Sequence, residues 1–536
     1  MNRTILFLTA AALCCGRAAA MSPEAGAVFA KAGIALADAD LYRVAEVYNF
    51  WEQKGEGIWP GMQISSTPVQ LVFPEKYGVL IGHPEPPKDC EAQETLLPVL
   101  DRPFCLRPDR SFMYGAGTGA LNKRPVVSLN TLGVFDAYVN EQLKKQKPDA
   151  AKYAKPYLEY LGTLAHELTH AYQHSEKRNL PKKERDIKPI RSTKIDYPYQ
   201  DAEACLLLGL EGRALSDLVD EDSAARATEL WRDFLAARRA RRARLPKGLP
   251  LIEQYMELSE GTAQYVGWAV MYGKNDDVRP LPQLLADERF TGYLSSDTVR
   301  SQVKQALAGL EHPARSRWMQ YVYATGAALA YNLDKAAPGW KNGLFRRLSG
   351  FRSGLDSLLT ENVGRSGKDK RRIETMCARY GCDAMRAVID EALAKDLETN
   401  KVKLDVFYAA PGRRYRFEFR KTRPDGLLVY APVLLTEYKD LRVFEAGITK
   451  IGYERGGKDN YVSFSKARPV LQDKAAGRFE LALDEGDLPA ITAARTLAKK
   501  GKTVYKGGVE VKSGVFSWKG DTLEVSESEG IVTLAF

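Results

Sequence analysis

Residues 158–174 read Leu158-Glu159-Tyr160-Leu161-Gly162-Thr163-Leu164-Ala165-His166-Glu167-Leu168-Thr169-His170-Ala171-Tyr172-Gln173-His174. Leu158, Leu161, Leu164, Leu168 and Ala171 recur at spacings of three and four, which predicts an amphipathic helix. His166 and His170, four apart, then stand one turn above each other on a single face. Both imidazoles can reach one divalent ion at about 2.0–2.1 Å. Glu167 is rotated by about a quarter turn, so it is no third ligand from that helix but lies where a base beside the ion's water must be. The chain has five histidines, and three of them fall in this run. Residues 163–172 hold no proline and no charge other than Glu167, as a buried helix requires.

Working outward, residues 22–51 are Ala-rich with apolar positions at helical spacing. Residues 67–73 and 78–81 read as short strands, and 125–130 as another, which together predict a small sheet in the first 130 or so residues. The prolines of His83-Pro84-Glu85-Pro86-Pro87 mark a loop. Beyond the motif, a Lys/Arg/Pro-rich loop covers 175–199, and helices are predicted over 201–219, 228–244 and 251–272. Residues 281–400 look helical, with breaks at Pro338-Gly339 and Gly364. After Lys401 the character changes: Arg414-Tyr415-Arg416-Phe417-Glu418-Phe419-Arg420 alternates as a half-buried strand does. The expected fold class is α+β. It divides into a targeting segment (1–20), an N-terminal helix and small sheet (21–135), a metal-binding helical region (136–280), a helical region (281–400) and a β-rich C-terminal domain (401–536).

The run His166-Glu167-Leu168-Thr169-His170 resembles the His-Glu-x-x-His signature of the zincin metallopeptidases. The likeness covers only a few residues. It implies a zincin-like domain, one zinc ion bound by His166 and His170, Glu167 as general base, and a peptide or protein substrate. The extended form with Gly and a third His is missing; His174 continues up the helix and reads as structural or cleft-lining. A glutamate from a later helix remains, as in the gluzincins. Glu260, in Leu258-Ser259-Glu260-Gly261-Thr262-Ala263-Gln264-Tyr265, is the first choice, because this run is similar to the Glu-Gly-x-Ala-x-Tyr run of many gluzincins. Gly261 is expected to let this helix approach the motif helix, with Met256, Ala263 and Val266 burying its sides. Glu211, in Leu210-Glu211-Gly212-Arg213-Ala214-Leu215, is the rival, and Glu203 stands behind it. A glutamate that is not a ligand would orient a histidine or pair with Arg213 or Arg238. Gluzincins also supply an oxyanion donor from a downstream helix; Tyr323 is the candidate here, with Tyr265 and Tyr321 as alternatives. Strand residues 126–130 are expected to form the edge that an extended peptide joins.

The net charge of +10 draws on Arg238, Arg239, Arg241, Arg242 and Arg244, and on Arg365, Lys368, Lys370, Arg371 and Arg372. Few aromatic residues interleave with them, so nucleic acid is not an expected partner; a solvated helical face or exposed loop is. Arg3, the apolar residues 4–15 and Ala18-Ala19-Ala20 have the pattern of a cleaved export signal, too short to span a bilayer. Export to the periplasm or beyond would leave five cysteines. Of these, Cys90 with Cys105 and Cys377 with Cys382 are expected disulfides, and Cys205 a buried thiol. A rival reading is a non-catalytic zincin-fold scaffold of the cell envelope, motivated by the β-rich C-terminal unit.

Overall fold

The computed structural model describes residues 21–536 apart from 75, 109–114, 138–156, 179–196, 247, 318, 348–353, 364–366, 420–427, 431–434, 445–447, 456–457 and 467. The targeting segment, Arg365 and most of the loop over 175–199 lie outside the described residues. The chain divides at Met385/Arg386 into two compact units. It is a mixed α+β protein with a helical middle and a β-rich C-terminus.

The first unit opens with α1 (Pro23–Lys31) and α2 (Asp38–Ile58), two helices separated by a turn at Gly33, whose φ is 66°. Six strands follow: β1 (Val69–Phe73), β2 (Tyr77–Ile81), β3 (Glu91–Leu97), β4 (Arg102–Pro108), β5 (Ala116–Leu121) and β6 (Arg124–Asn130). Their order is β3-β4-β2-β1-β6-β5; β1 and β6 run parallel, and every other neighbouring pair is antiparallel. The expectation that 126–130 forms an edge is therefore corrected: β6 is paired on both sides, and β5 is the edge. Composition explains the exchange. Val126, Val127 and Leu129 are buried and suit an interior strand, whereas β5, reading AGTGAL, carries little apolar surface to hide. A disulfide joins Cys105 of β4 to Cys90, just before β3.

The helical part begins with α3 (Tyr157–Arg178), which carries the histidine motif. Leu161, Leu164, Ala165, Leu168 and Ala171 are all buried, as their spacing predicts. Tyr160 donates from its hydroxyl to Asn130 O at 3.2 Å, tying the helix to β6. Next come α4 (Ala202–Asp220), α5 (Ala224–Arg244) and α6 (Leu249–Met256). A π-helical turn (Glu257–Gly261) then leads directly into α7 (Thr262–Tyr272). Further on lie α8 (Val299–Leu307), α9 (Tyr321–Ala336), α10 (Leu355–Val363) and α11 (Asp369–Tyr380), with short helical turns between some of them. A second disulfide links Cys377 and Cys382, and Cys205 is a buried free thiol. Two disulfides fit an oxidising compartment.

α12 (Cys382–Ala409) runs through Asn400, where the sequence changes character, because Leu404 and Phe407 continue at helical spacing and pack on Val443 and Leu471. Asn400 Nδ2 donates to Glu437 O at 2.9 Å within the second unit. The alternating run is the strand Arg413–Glu418; it pairs parallel with Ile531–Ala535 and antiparallel with Arg478–Leu483. Phe417, Phe479, Phe516 and Trp518 centre that unit's core. Among the described residues, no helix is long and apolar enough to cross a membrane.

Candidate metal centre

Two glycine crossings set the helices around the motif. A Cβ on Gly267 of α7 would lie 2.9 Å from Gly162 O, so α3 and α7 approach backbone to backbone only because both positions lack a side chain. Gly261 serves a different interface from the expected one: its Cβ would fall 2.4 Å from Gly326 Cα, so it seats the π turn on α9, not on the motif helix. The backbone crossing with the motif helix comes six residues later, at Gly267. One turn of π helix, with i→i+5 bonding, lies between α6 and α7, and such turns recur at functional sites.

His166, His170 and Glu260 converge on one point. His166 Nε2 and His170 Nε2 are 3.1 Å apart, and Glu260 Oε2 lies 3.2 Å from the latter and 3.6 Å from the former. Three donors each about 2.0–2.1 Å from a tetrahedral ion stand about 3.3–3.4 Å from one another, so these residues fit a single zinc-sized cation. The chemistry of the set, two imidazoles and a carboxylate, suits it equally. Burial alone would raise the Glu260 carboxyl, but hydrogen bonds from His166 and His170 hold it well below the usual carboxylate range. His170 is buried, which favours the neutral ring, yet its hydrogen bond to Glu260 and that residue's charge shift it upward overall.

Glu167 is buried and faces the edge strand. Thr118 of β5 donates its hydroxyl to Glu167 Oε2 and to Glu167 O, both at 2.8 Å. Tyr323, on the first turn of α9, stacks its ring near that of His166, with centroids 6.3 Å apart and planes 14° apart. Burial, then the charge of Glu260 and a hydrogen bond to it, push the Tyr323 hydroxyl far above its ordinary value, so it remains a neutral O–H donor. The alternatives lie elsewhere: Tyr321 donates to Glu253 at 2.7 Å in the helical core, and Tyr265 donates to Asp334 at 2.6 Å.

Glu211 is also placed away from the histidines. It accepts from Arg238 Nε at 2.9 Å and from Arg241 Nε at 2.5 Å. Arg241 also pairs with Glu253, Arg238 with Glu257, and Arg242 with Glu253 and Asp356. Arg238 and Arg241 are 1% and 0% exposed, which corrects the expectation of a solvated basic face for these residues, whereas Arg239 and Arg244 are open to solvent. The positive charge of the buried arginines is matched by four carboxylates, the reason guanidinium groups can be buried at all. Glu257 sits in the π turn and is gripped by Arg238 at 2.6 and 2.9 Å and by Thr325 Oγ1 at 2.6 Å. Glu260, three residues later, is thereby anchored from below. Glu203 is not part of the donor cluster. Of the second basic cluster, Arg372 pairs with Glu229 and Asp233.

Protein-family models, curated proteins and solved structures give no match to this chain.

Sequence reading missed Thr118 and Gln173, the latter a buried neighbour of His170. Thr118 has no signal in a run of small residues. Gln173, three residues after His170 on the same helix, could have been found from its spacing, since a polar side chain there falls beside the imidazole.

Proposed function

We propose that this chain is an exported zinc metallopeptidase of the gluzincin type, with a zincin-like catalytic region within its first unit. The observation that carries the reading is the triangle of His166 Nε2, His170 Nε2 and Glu260 Oε2, with sides of 3.1 to 3.6 Å. The neighbouring Glu167 carboxylate and the Tyr323 hydroxyl support it, because they are the acid–base and donor groups that amide hydrolysis needs.

When bound, the ion supplies Lewis acidity, lowering the pKa of a coordinated water to about 7 and polarising a carbonyl. Glu167 Oε2 accepts a hydrogen bond from Thr118, which leaves Oε1 to take the proton of the attacking water and return it to the leaving amine. Tyr323, protonated at neutral pH, donates its O–H to the oxygen of the scissile carbonyl as charge develops there. β5 is a sheet edge beside Glu167, and its backbone can align an extended peptide by strand addition. The two disulfides agree with export.

The test is Glu167→Gln assayed against a diverse peptide library. The variant is expected to retain zinc and to lose turnover by about two orders of magnitude or more. Cleavage as fast as the parent's would contradict the assignment of the base.

A further inference from the structure

Gln173 is 1% exposed and lies on α3 one turn beyond His170. Its amide nitrogen donates to Ser259 O at 2.9 Å and to Thr262 Oγ1 at 3.0 Å. Its amide oxygen accepts from Ser259 Oγ at 3.2 Å and faces His170 Nδ1 at 3.1 Å. The orientation of this amide follows from its partners. A backbone carbonyl can only accept, so the atom facing Ser259 O must be the nitrogen. Thr262 Oγ1 gives its own proton to Leu258 O at 2.7 Å and therefore presents a lone pair to the same nitrogen.

The oxygen is then the atom that meets His170. An acceptor opposite Nδ1 requires Nδ1–H, so when an ion takes the place of the proton that Nε2 shares with Glu260, the neutral ring presents its lone pair at Nε2. Nε2 is the atom that faces His166 Nε2 and Glu260 Oε2. Because Ser259 belongs to the π turn and Thr262 begins α7, the same amide also joins the motif helix to the segment that carries Glu260.

We propose that Gln173 is a positioning residue of the metal centre: it holds His170 in the tautomer that offers Nε2 to a divalent cation and fixes the spacing between His170 and Glu260. The inference rests on the reading of His166, His170 and Glu260 as ligands. An amide suits this place better than a carboxylate, because one oxygen and one nitrogen satisfy two donors and two acceptors without adding charge beside Glu167 and Glu260.

The experiment measures Zn²⁺ affinity of the full chain by competition with a chromophoric chelator, for the parent, Gln173→Met and Gln173→Glu. Circular dichroism of each metal-free protein checks folding. Gln173→Met is expected to bind Zn²⁺ about 10–100-fold more weakly. Gln173→Glu keeps the acceptor for His170 Nδ1–H but loses the amide N–H that bonds Ser259 O and Thr262 Oγ1, so it is expected to bind more weakly than the parent and more tightly than Gln173→Met. A folded Met variant with the parent's affinity would overturn the proposal and leave the three-ligand reading standing. If the Met variant does not fold, the folded Glu variant decides: affinity weakened by about tenfold supports the proposal, and parent-like affinity overturns it. Failure of the parent itself to take up Zn²⁺ would overturn the ligand reading, and this inference with it.

Discussion

Gly261 and Gly326 meet across the π turn and α9 so closely that a Cβ on Gly326 would lie 2.7 Å from Gly261 Cα and from Glu257 O. Neither position has room for even one methyl group. Tyr323 lies one turn before Gly326 and Glu260 immediately before Gly261, so this crossing sets how near the phenol comes to the histidine–glutamate cluster.

Gly326→Ala is accordingly expected to force the two helices apart at a cost of about 1–3 kcal/mol, the usual range for overpacking. Chemical denaturation checks this. Gly57→Ala, in α2, where an added Cβ meets nothing within 4 Å, is the matched control. Equal stability of the Gly326 variant and the parent would contradict the close crossing.

The buried ion-pair network predicts a pH dependence of stability. Burial would raise both Glu253 and Asp356, but the guanidinium groups of Arg241, Arg242 and Arg238 hold Glu253 below its ordinary 4.5, and those of Arg242 and Arg238 hold Asp356 below 3.8. Groups lowered in the folded state add stability that is fully present above their unfolded pKa and is lost as pH falls through the folded value. Glu257 has the opposite sign: burial raises it, so its contribution is present below 4.5 and lost as pH rises through its folded value, offsetting part of the effect. The urea midpoint should therefore fall on acidification below about pH 4. Arg238→Met, which takes the bidentate guanidinium away from Glu257, should cost about 3–5 kcal/mol. An unchanged midpoint in that variant would count against the network as the anchor of the π turn.

Tyr323→Phe isolates the proposed oxyanion donor. Tyr323 is 37% exposed, so loss of the hydroxyl should leave folding unaltered. Under the proposed function kcat should fall by about 10²–10³ with little change in zinc content. A kcat within about twofold of the parent's would remove Tyr323 from the reaction.

How much of this was readable from the chain depends on how local each signal is. The motif helix was legible because Leu161, Leu164 and Leu168 repeat at helical spacing and all face inward. β1, β2 and β6 were legible as apolar runs. β3 (EAQETLL) and β5 (AGTGAL) were not, because edge strands need no continuous apolar face, and which strand forms an edge is set by long-range pairing. Arg238, Arg241 and Arg242 of α5 were misread for a related reason. A charge run does not say whether its partners come from solvent or from Glu211, Glu253 and Glu257 on neighbouring segments. Gly261 was assigned to the motif helix and not to α9 because a glycine marks a close approach without naming the helix that approaches.

The proposed function depends on His166, His170 and Glu260 together holding one ion. Elemental analysis of protein purified without chelator tests it most directly. The expected result is about one zinc per chain in the parent and almost none in His166→Ala or His170→Ala, with folding retained. A parent that carries no stoichiometric metal and takes none up from added Zn²⁺ would contradict it.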